Sequence, residues 1–138
     1  MTSELELKRK KRVAQEEFDA AAHEKLVEAA IPHPVGFMLL IMLPTVESNY
    51  QSGIAKAEQT KKFENVLASV GTVIEMGPLA YKDEAKFRGV PWCKVGDYVI
   101  FRPNTGTRIE VDGQEYRLMF DDSIQAIVEN PRLLSRAS

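Results

Sequence analysis

The chain has 138 residues, the length of one ordinary domain, and its 44% apolar content is enough for one modest core, more comfortably so with help from oligomerisation. A net charge of −2 excludes a global field that draws in nucleic acid or an anionic membrane. A single cysteine, Cys93, excludes an intramolecular disulfide and suits a reducing cytoplasm.

Residues Glu4 to about Ala30 are predicted to be helical. They are rich in Glu, Lys, Ala and Leu, lack Gly and Pro, and repeat Ala14, Phe18, Ala22, Leu26 and Ala29 at helical spacing. That stripe is mostly alanine, so the helix is weakly amphipathic and is expected to dock loosely or to stay partly disordered. The run Lys8-Arg9-Lys10-Lys11-Arg12 reads as a solvated helix end balanced by Glu4, Glu6, Glu16 and Glu17. No aromatic residue interleaves with it, so base stacking is not suggested. The basic cluster leads into Ala, Glu and Asp instead of an apolar stretch, which is not the shape of a signal peptide. The expectation is a soluble, cytoplasmic protein with no nucleic-acid or membrane partner.

Ile31-Pro32-His33-Pro34 ends the helix, because each proline disfavours helical conformation in the residue before it. The apolar run Phe37–Leu43 is too short to span a bilayer and is predicted to be a strand buried on both faces. Thr45 to Asn65 is polar, with sparse apolar residues. A connection of about twenty residues in a compact domain is usually functional or disordered.

Strand patterns resume at Val66–Val70 and Thr72–Met76, and Gly77-Pro78 turns the chain. Leu79–Pro91 is a second polar insertion. Lys94-Val95-Gly96-Asp97 turns into a strand at Tyr98–Arg102. Arg108–Val111 and Gln114–Phe120 flank Asp112-Gly113, the strongest hairpin signal in the sequence. Ser123–Glu129 is predicted as the last strand, stopped by Asn130-Pro131. Short β-branched runs cut by turns at regular spacing indicate a small β-barrel.

Catalytic constellations are not evident. Cys93, His23 and His33 match no zinc-ligand spacing and read as a small buried thiol and two incidental histidines. Asp121-Asp122 reads as a polar turn, since neighbours on a tight turn do not converge easily on one atom. Gly71 and Gly77 lie within a strand pattern and do not open a helix, so they form no phosphate loop. Tyr81, Phe87 and Trp92 form either an exposed contact cluster or a local mini-core that pins the insertion.

Several segments, taken together and in order, resemble the GroES-type co-chaperonins. They are the proline-flanked Pro34–Leu43; Ser52-Gly53-Ile54; Gly71-Thr72-Val73-Ile74-Glu75-Met76-Gly77; the insertion Leu79–Pro91; Lys94–Phe101; Gly106–Tyr116; and Ser123–Glu129. Ile-Pro-His-Pro, Gly-Pro-x-Ala-Tyr-Lys-Asp and Pro-Trp-Cys-Lys-Val-Gly-Asp look like the phage-encoded members in particular. The resemblance covers roughly residues 32 to 129.

It implies a mainly β fold: an irregular β-barrel with a long mobile loop and a roof insertion, here preceded by the helix. It further implies a heptameric homo-oligomer that caps a GroEL-type chaperonin, with no catalysis, no cofactor, no metal, and ATP bound by the partner. By the same resemblance, residues 1–31 are an extension, 32–131 the barrel, 45–65 the mobile loop, 79–91 the roof and 132–138 a tail. The loop's docking residues are Gly53, Ile54, Ala55 and Lys56, and the roof cluster is Tyr81, Phe87 and Trp92. Phe37–Leu43 and Ile124–Val128 are expected to be the strands that meet between subunits, because a lone open barrel leaves edges exposed. Family loops present three apolar residues after the glycine, whereas Ile54 is followed here by Ala55 and the charged Lys56. That departure leaves a second reading open: a co-chaperonin-like barrel repurposed as a virion structural or assembly protein.

Overall fold

The computed structural model describes residues 3–44 and 69–134. The expected mobile loop at 45–65 and its residues Gly53, Ile54, Ala55 and Lys56 lie outside the described residues, as does the end of the tail. The chain divides into two units, Met1–Pro32 and His33–Ser138.

The first unit is one helix, α1, Glu4–Ala30. The Ser3 hydroxyl caps it by accepting from the Glu6 amide at 3.2 Å, and Glu4 and Glu6 place negative charge at the positive end of the helix dipole. The helix stops at Ile31, ahead of Pro32, where the Ile31 amide closes back on the Val27 and Glu28 carbonyls. No residue of α1 is buried. Helical propensity, a cap and the proline stop therefore produce the element that the composition predicts, and over its full expected length.

The second unit contains β1 (Met38–Met42), β2 (Val70–Met76), a short helix α2 (Glu84–Phe87), β3 (Tyr98–Ile100), β4 (Thr107–Val111), β5 (Gln114–Phe120) and β6 (Ala126–Val128). They form one antiparallel sheet in the order β4-β5-β1-β2-β3-β6. The core takes Leu39, Ile41, Leu43, Val73, Val99, Phe101, Met119 and Ile124 from the strands and the segments that continue them.

β1 lies at the centre of this sheet, which accounts for its unbroken apolar run. Leu39, Leu40 and Ile41 are all fully buried, as a strand covered on both faces requires. Leu40 stands beside Leu118 on one neighbour and Glu75 on the other, with a bulge between Leu40 and Ile41 in the pairing to β2. The position corrects one expectation. β1 is hydrogen-bonded along both sides, so Phe37–Leu43 offers no free edge to another subunit. The other expected inter-subunit strand is at an edge: among the described residues β6 pairs only with β3.

Two glycines are dictated by geometry. A Cβ on Gly71 would stand 2.3 Å from Ile41 Cγ2 and 2.9 Å from the Met42 carbonyl oxygen, so only glycine lets β2 approach β1 this closely. Asp112 and Gly113 both have left-handed backbone, with φ of 51° and 82°. That is the primed turn whose twist matches the strands it joins, and it sets the register of β4 against β5 from Val111 opposite Gln114 onwards. The predicted last strand starts later than its pattern suggests, because Asp121–Ser123 forms a 3-10 turn before β6.

Candidate functional site

The segment between β2 and β3 carries the aromatic residues. Asp83 caps α2 by accepting from the Ala85 and Lys86 amides at 3.1 and 3.3 Å. The helix ends with Arg88 in the left-handed region at φ 52°. This single turn aims Phe87 inward, where it joins Ala80, Tyr81 and Cys93 in the main core. The segment that reads as a polar insertion thus contributes Ala80, Tyr81 and Phe87 to the main core.

The three rings come together. Tyr81 and Phe87 meet edge-on at 4.9 Å between centroids, Phe87 and Trp92 edge-on at 5.0 Å, and Tyr81 and Trp92 are tilted at 6.2 Å. Such pairs add about 0.5–1.5 kcal/mol beyond their burial. Tyr81 and Phe87 are 3% and 4% exposed, whereas Trp92 is 41% exposed. The outward part of the cluster is therefore Trp92, and Leu79, Val90 and Val95 are exposed in the same stretch of chain.

Tyr81 is anchored through Asp121. Its amide donates to Asp121 Oδ2 at 2.9 Å and its hydroxyl donates to the Asp121 carbonyl at 2.8 Å. The hydroxyl also lies 3.2 Å from Cys93 Sγ. Burial, and after it the Cys93 thiol, push the Tyr81 phenol far above its ordinary range. Burial likewise pushes the Cys93 thiol up, against the opposing hydrogen bond with Tyr81. A thiol held protonated in this way is a poor nucleophile. The neighbouring Asp122 is exposed and pairs with Lys86. The two adjacent carboxylates therefore face different partners.

A second polar group sits inside the sheet. Arg117 on β5 is 2% exposed. Its guanidinium donates to the Pro103 carbonyl and to Glu115 Oε2, the latter at 3.2 Å, and it lies 5.7 Å from the centre of the Phe101 ring. Glu115 also accepts from Arg108 at 2.8 Å. Burial pushes the Glu115 carboxyl up, but the hydrogen bonds from Arg108 and Arg117 outweigh it and hold the group below its ordinary value.

His33 Nδ1 donates to the Glu75 carboxylate on the surface, at 2.8 and 3.1 Å from its two oxygens. Among the described residues no group of three or more His, Cys, Asp or Glu side chains is placed to hold a metal ion. Among the described residues, no helix is long and apolar enough to cross a membrane.

Sequence reasoning missed Asp121 as an anchor and Arg117 as a buried cation. Arg117 had a signal: it is two residues from Met119 on a strand, hence on the same face as a core residue. Asp121 had none, because its partner lies 40 residues earlier.

The sequence matches the family described as "Chaperonin 10 Kd subunit" over residues 32–128, the span from the proline entry to the end of β6. Among similar proteins, the "Co-chaperonin GroES" of Caldicellulosiruptor saccharolyticus is 34% identical over 97 residues, covering 70% of this chain and 96% of the relative. That of Acetivibrio thermocellus is 32% identical over 98 residues, and that of Natranaerobius thermophilus 31% over 96 residues, each with the same shares of the two chains covered. With a match of this extent laid over the six-stranded barrel, the chain belongs to the chaperonin 10 kDa subunit family, the co-chaperonins of GroES type.

Proposed function

We propose that this protein is a phage-type co-chaperonin. It assembles into a ring, heptameric in the manner of its family, and caps a GroEL-type chaperonin in the host cytoplasm, assisting the folding of phage proteins such as capsid subunits. The partner binds and hydrolyses ATP, and the chain itself needs no cofactor and performs no catalysis. The observation that carries the reading is the family match across the whole barrel, residues 32–128. Its phage character rests on the Ile-Pro-His-Pro entry and the segments Gly77–Asp83 and Pro91–Asp97.

The barrel, 32–131, presents the loop 45–65 between β1 and β2, and Gly53, Ile54, Ala55 and Lys56 dock on the chaperonin. A loop that orders on binding contributes little affinity per copy, and several copies in one ring supply avidity while keeping release possible. β6, with Ile127 56% exposed, joins the neighbouring subunit. Trp92, the exposed member of the Tyr81–Phe87–Trp92 cluster, lines the ring opening together with Leu79 and Val90 of the roof segment 79–91. Residues 1–31 and 132–138 lie outside the barrel.

A second reading rests on the tripeptide Ile54-Ala55-Lys56, which departs from the family's three apolar docking residues, and on the extra N-terminal helix. It makes the protein a co-chaperonin-like barrel used as a virion structural or assembly component. Mixing the purified protein with a bacterial chaperonin and nucleotide separates the two. Capped complexes in electron micrographs support the co-chaperonin. A ring that never associates with any chaperonin supports the structural barrel.

A further inference from the structure

We propose that α1 is a self-association element that pairs antiparallel with α1 of a second copy. Beyond Glu4 and Glu6 in its first turn, its charges are segregated along its length. Residues 8–12 are five consecutive cations, Lys8-Arg9-Lys10-Lys11-Arg12. Residues 13–30 hold Glu16, Glu17, Asp19, Glu24 and Glu28 against the single Lys25. A helix of 27 residues is about 40 Å long, so the two blocks are well separated along one rod.

Such a rod is complementary to itself in one direction only. Parallel, in-register helices set the cations of one against the cations of the other and repel. Antiparallel helices set each basic block against an acidic one. Arg9, Arg12, Glu16 and Asp19 share one face of the helix, and pairing through that face with its two-fold axis level with residue 14 brings Arg12 opposite Glu16 and Arg9 opposite Asp19, each twice by symmetry. None of these side chains is buried, and Leu5 on the same face and Val13 and Leu26 beside it are also exposed, so apolar area is available to such a pair. Helices in proteins draw most of their stability from packing, which gives α1, with no buried residue, a use for a partner.

The same pattern disfavours nucleic acid as the occupant. The acidic block follows the basic one within a turn, and it repels a phosphate backbone lying along the helix. In a ring, neighbouring copies are related by a modest rotation and their helices run closer to parallel than to antiparallel. The pairing therefore links two assemblies instead of closing one.

The test is sedimentation of the full chain at about 0.01 M and about 1 M salt, between which the screening length falls from about 30 Å to about 3 Å. The wild-type mass at low salt is expected to be at least double that at high salt. One variant reverses the basic block (Lys8→Glu, Arg9→Glu, Lys10→Glu, Lys11→Glu, Arg12→Glu). A second reverses the acidic block (Glu16→Lys, Glu17→Lys, Asp19→Lys, Glu24→Lys, Glu28→Lys). Each alone is expected to stay at the high-salt mass, and an equimolar mixture to recover the doubling. Far-ultraviolet circular dichroism checks that α1 remains helical in both. A wild-type mass that does not change with salt overturns the proposal, as does doubling by the all-acidic variant alone. An unchanged mass together with salt-steep binding of a duplex DNA probe by the wild type overturns it in favour of a nucleic-acid contact.

Discussion

Tyr81 and Asp121 hold each other through two hydrogen bonds, one from the Tyr81 amide to the Asp121 carboxylate and one from the Tyr81 hydroxyl to the Asp121 carbonyl. Tyr81 adopts left-handed backbone, with φ of 60°, a conformation that bulky residues rarely take. The clamp fixes the segment before α2 to the end of β5, and with it the ring cluster that Trp92 completes. Asp121→Ala leaves the buried Tyr81 amide without its acceptor and is expected to lower stability by about 1–3 kcal/mol. Asp121→Asn keeps an acceptor oxygen and is expected to cost less. Urea denaturation midpoints of the two variants check the order.

Alkaline pH tests the same clamp. The folded-state value of the Tyr81 phenol is raised above its unfolded value, so folding favours the protonated form. Its contribution is complete below the unfolded value of about 10 and is lost as pH rises above it, at up to about 1.4 kcal/mol per pH unit. Between pH 9 and 11 the wild type is expected to lose stability more steeply than Tyr81→Phe. Equal slopes in paired denaturation curves would remove Tyr81 from the account of alkaline unfolding.

Acid acts through Glu115 with the opposite sign. Its folded-state value is held down by Arg108 and Arg117, so its contribution is present above the unfolded value of about 4.3 and is lost as pH falls through the lower folded value. Glu115→Gln is expected to flatten the acid limb of the stability profile and to lower stability at pH 7. A profile of unfolding midpoints from pH 7 to pH 2 for both proteins measures this.

The hairpin β4–β5 and the helix α1 were legible because their signals are local: a turn dipeptide requiring left-handed backbone, and helical propensity ended by a proline. β1 was legible as a buried strand, yet not as the centre of the sheet. Its neighbours β5 and β2 are set by pairings distant in sequence, and an apolar run does not state which strands flank it. The pair Asp121-Asp122 was opaque for the same reason. Two adjacent carboxylates look alike until Tyr81 takes one and Lys86 the other. The aromatic trio was recognised as a group, and burial then divided it, with Tyr81 and Phe87 in the core and Trp92 at the surface. The docking residues Gly53, Ile54, Ala55 and Lys56 rest on the family resemblance alone.

The central claim, that this barrel caps a chaperonin through its loop, is tested most directly at Ile54. It is the one large apolar side chain in the proposed docking tripeptide, and burying such a group is worth roughly 1.5–3 kcal/mol per copy, multiplied across a ring. The measurement is chaperonin capping, scored by electron microscopy in the presence of nucleotide, for wild type and Ile54→Asp, with the ring mass of each determined by sedimentation. The account predicts capped complexes with the wild type, none with Ile54→Asp, and the same ring mass for both. Capping that survives Ile54→Asp, or a wild type that caps no chaperonin, contradicts it.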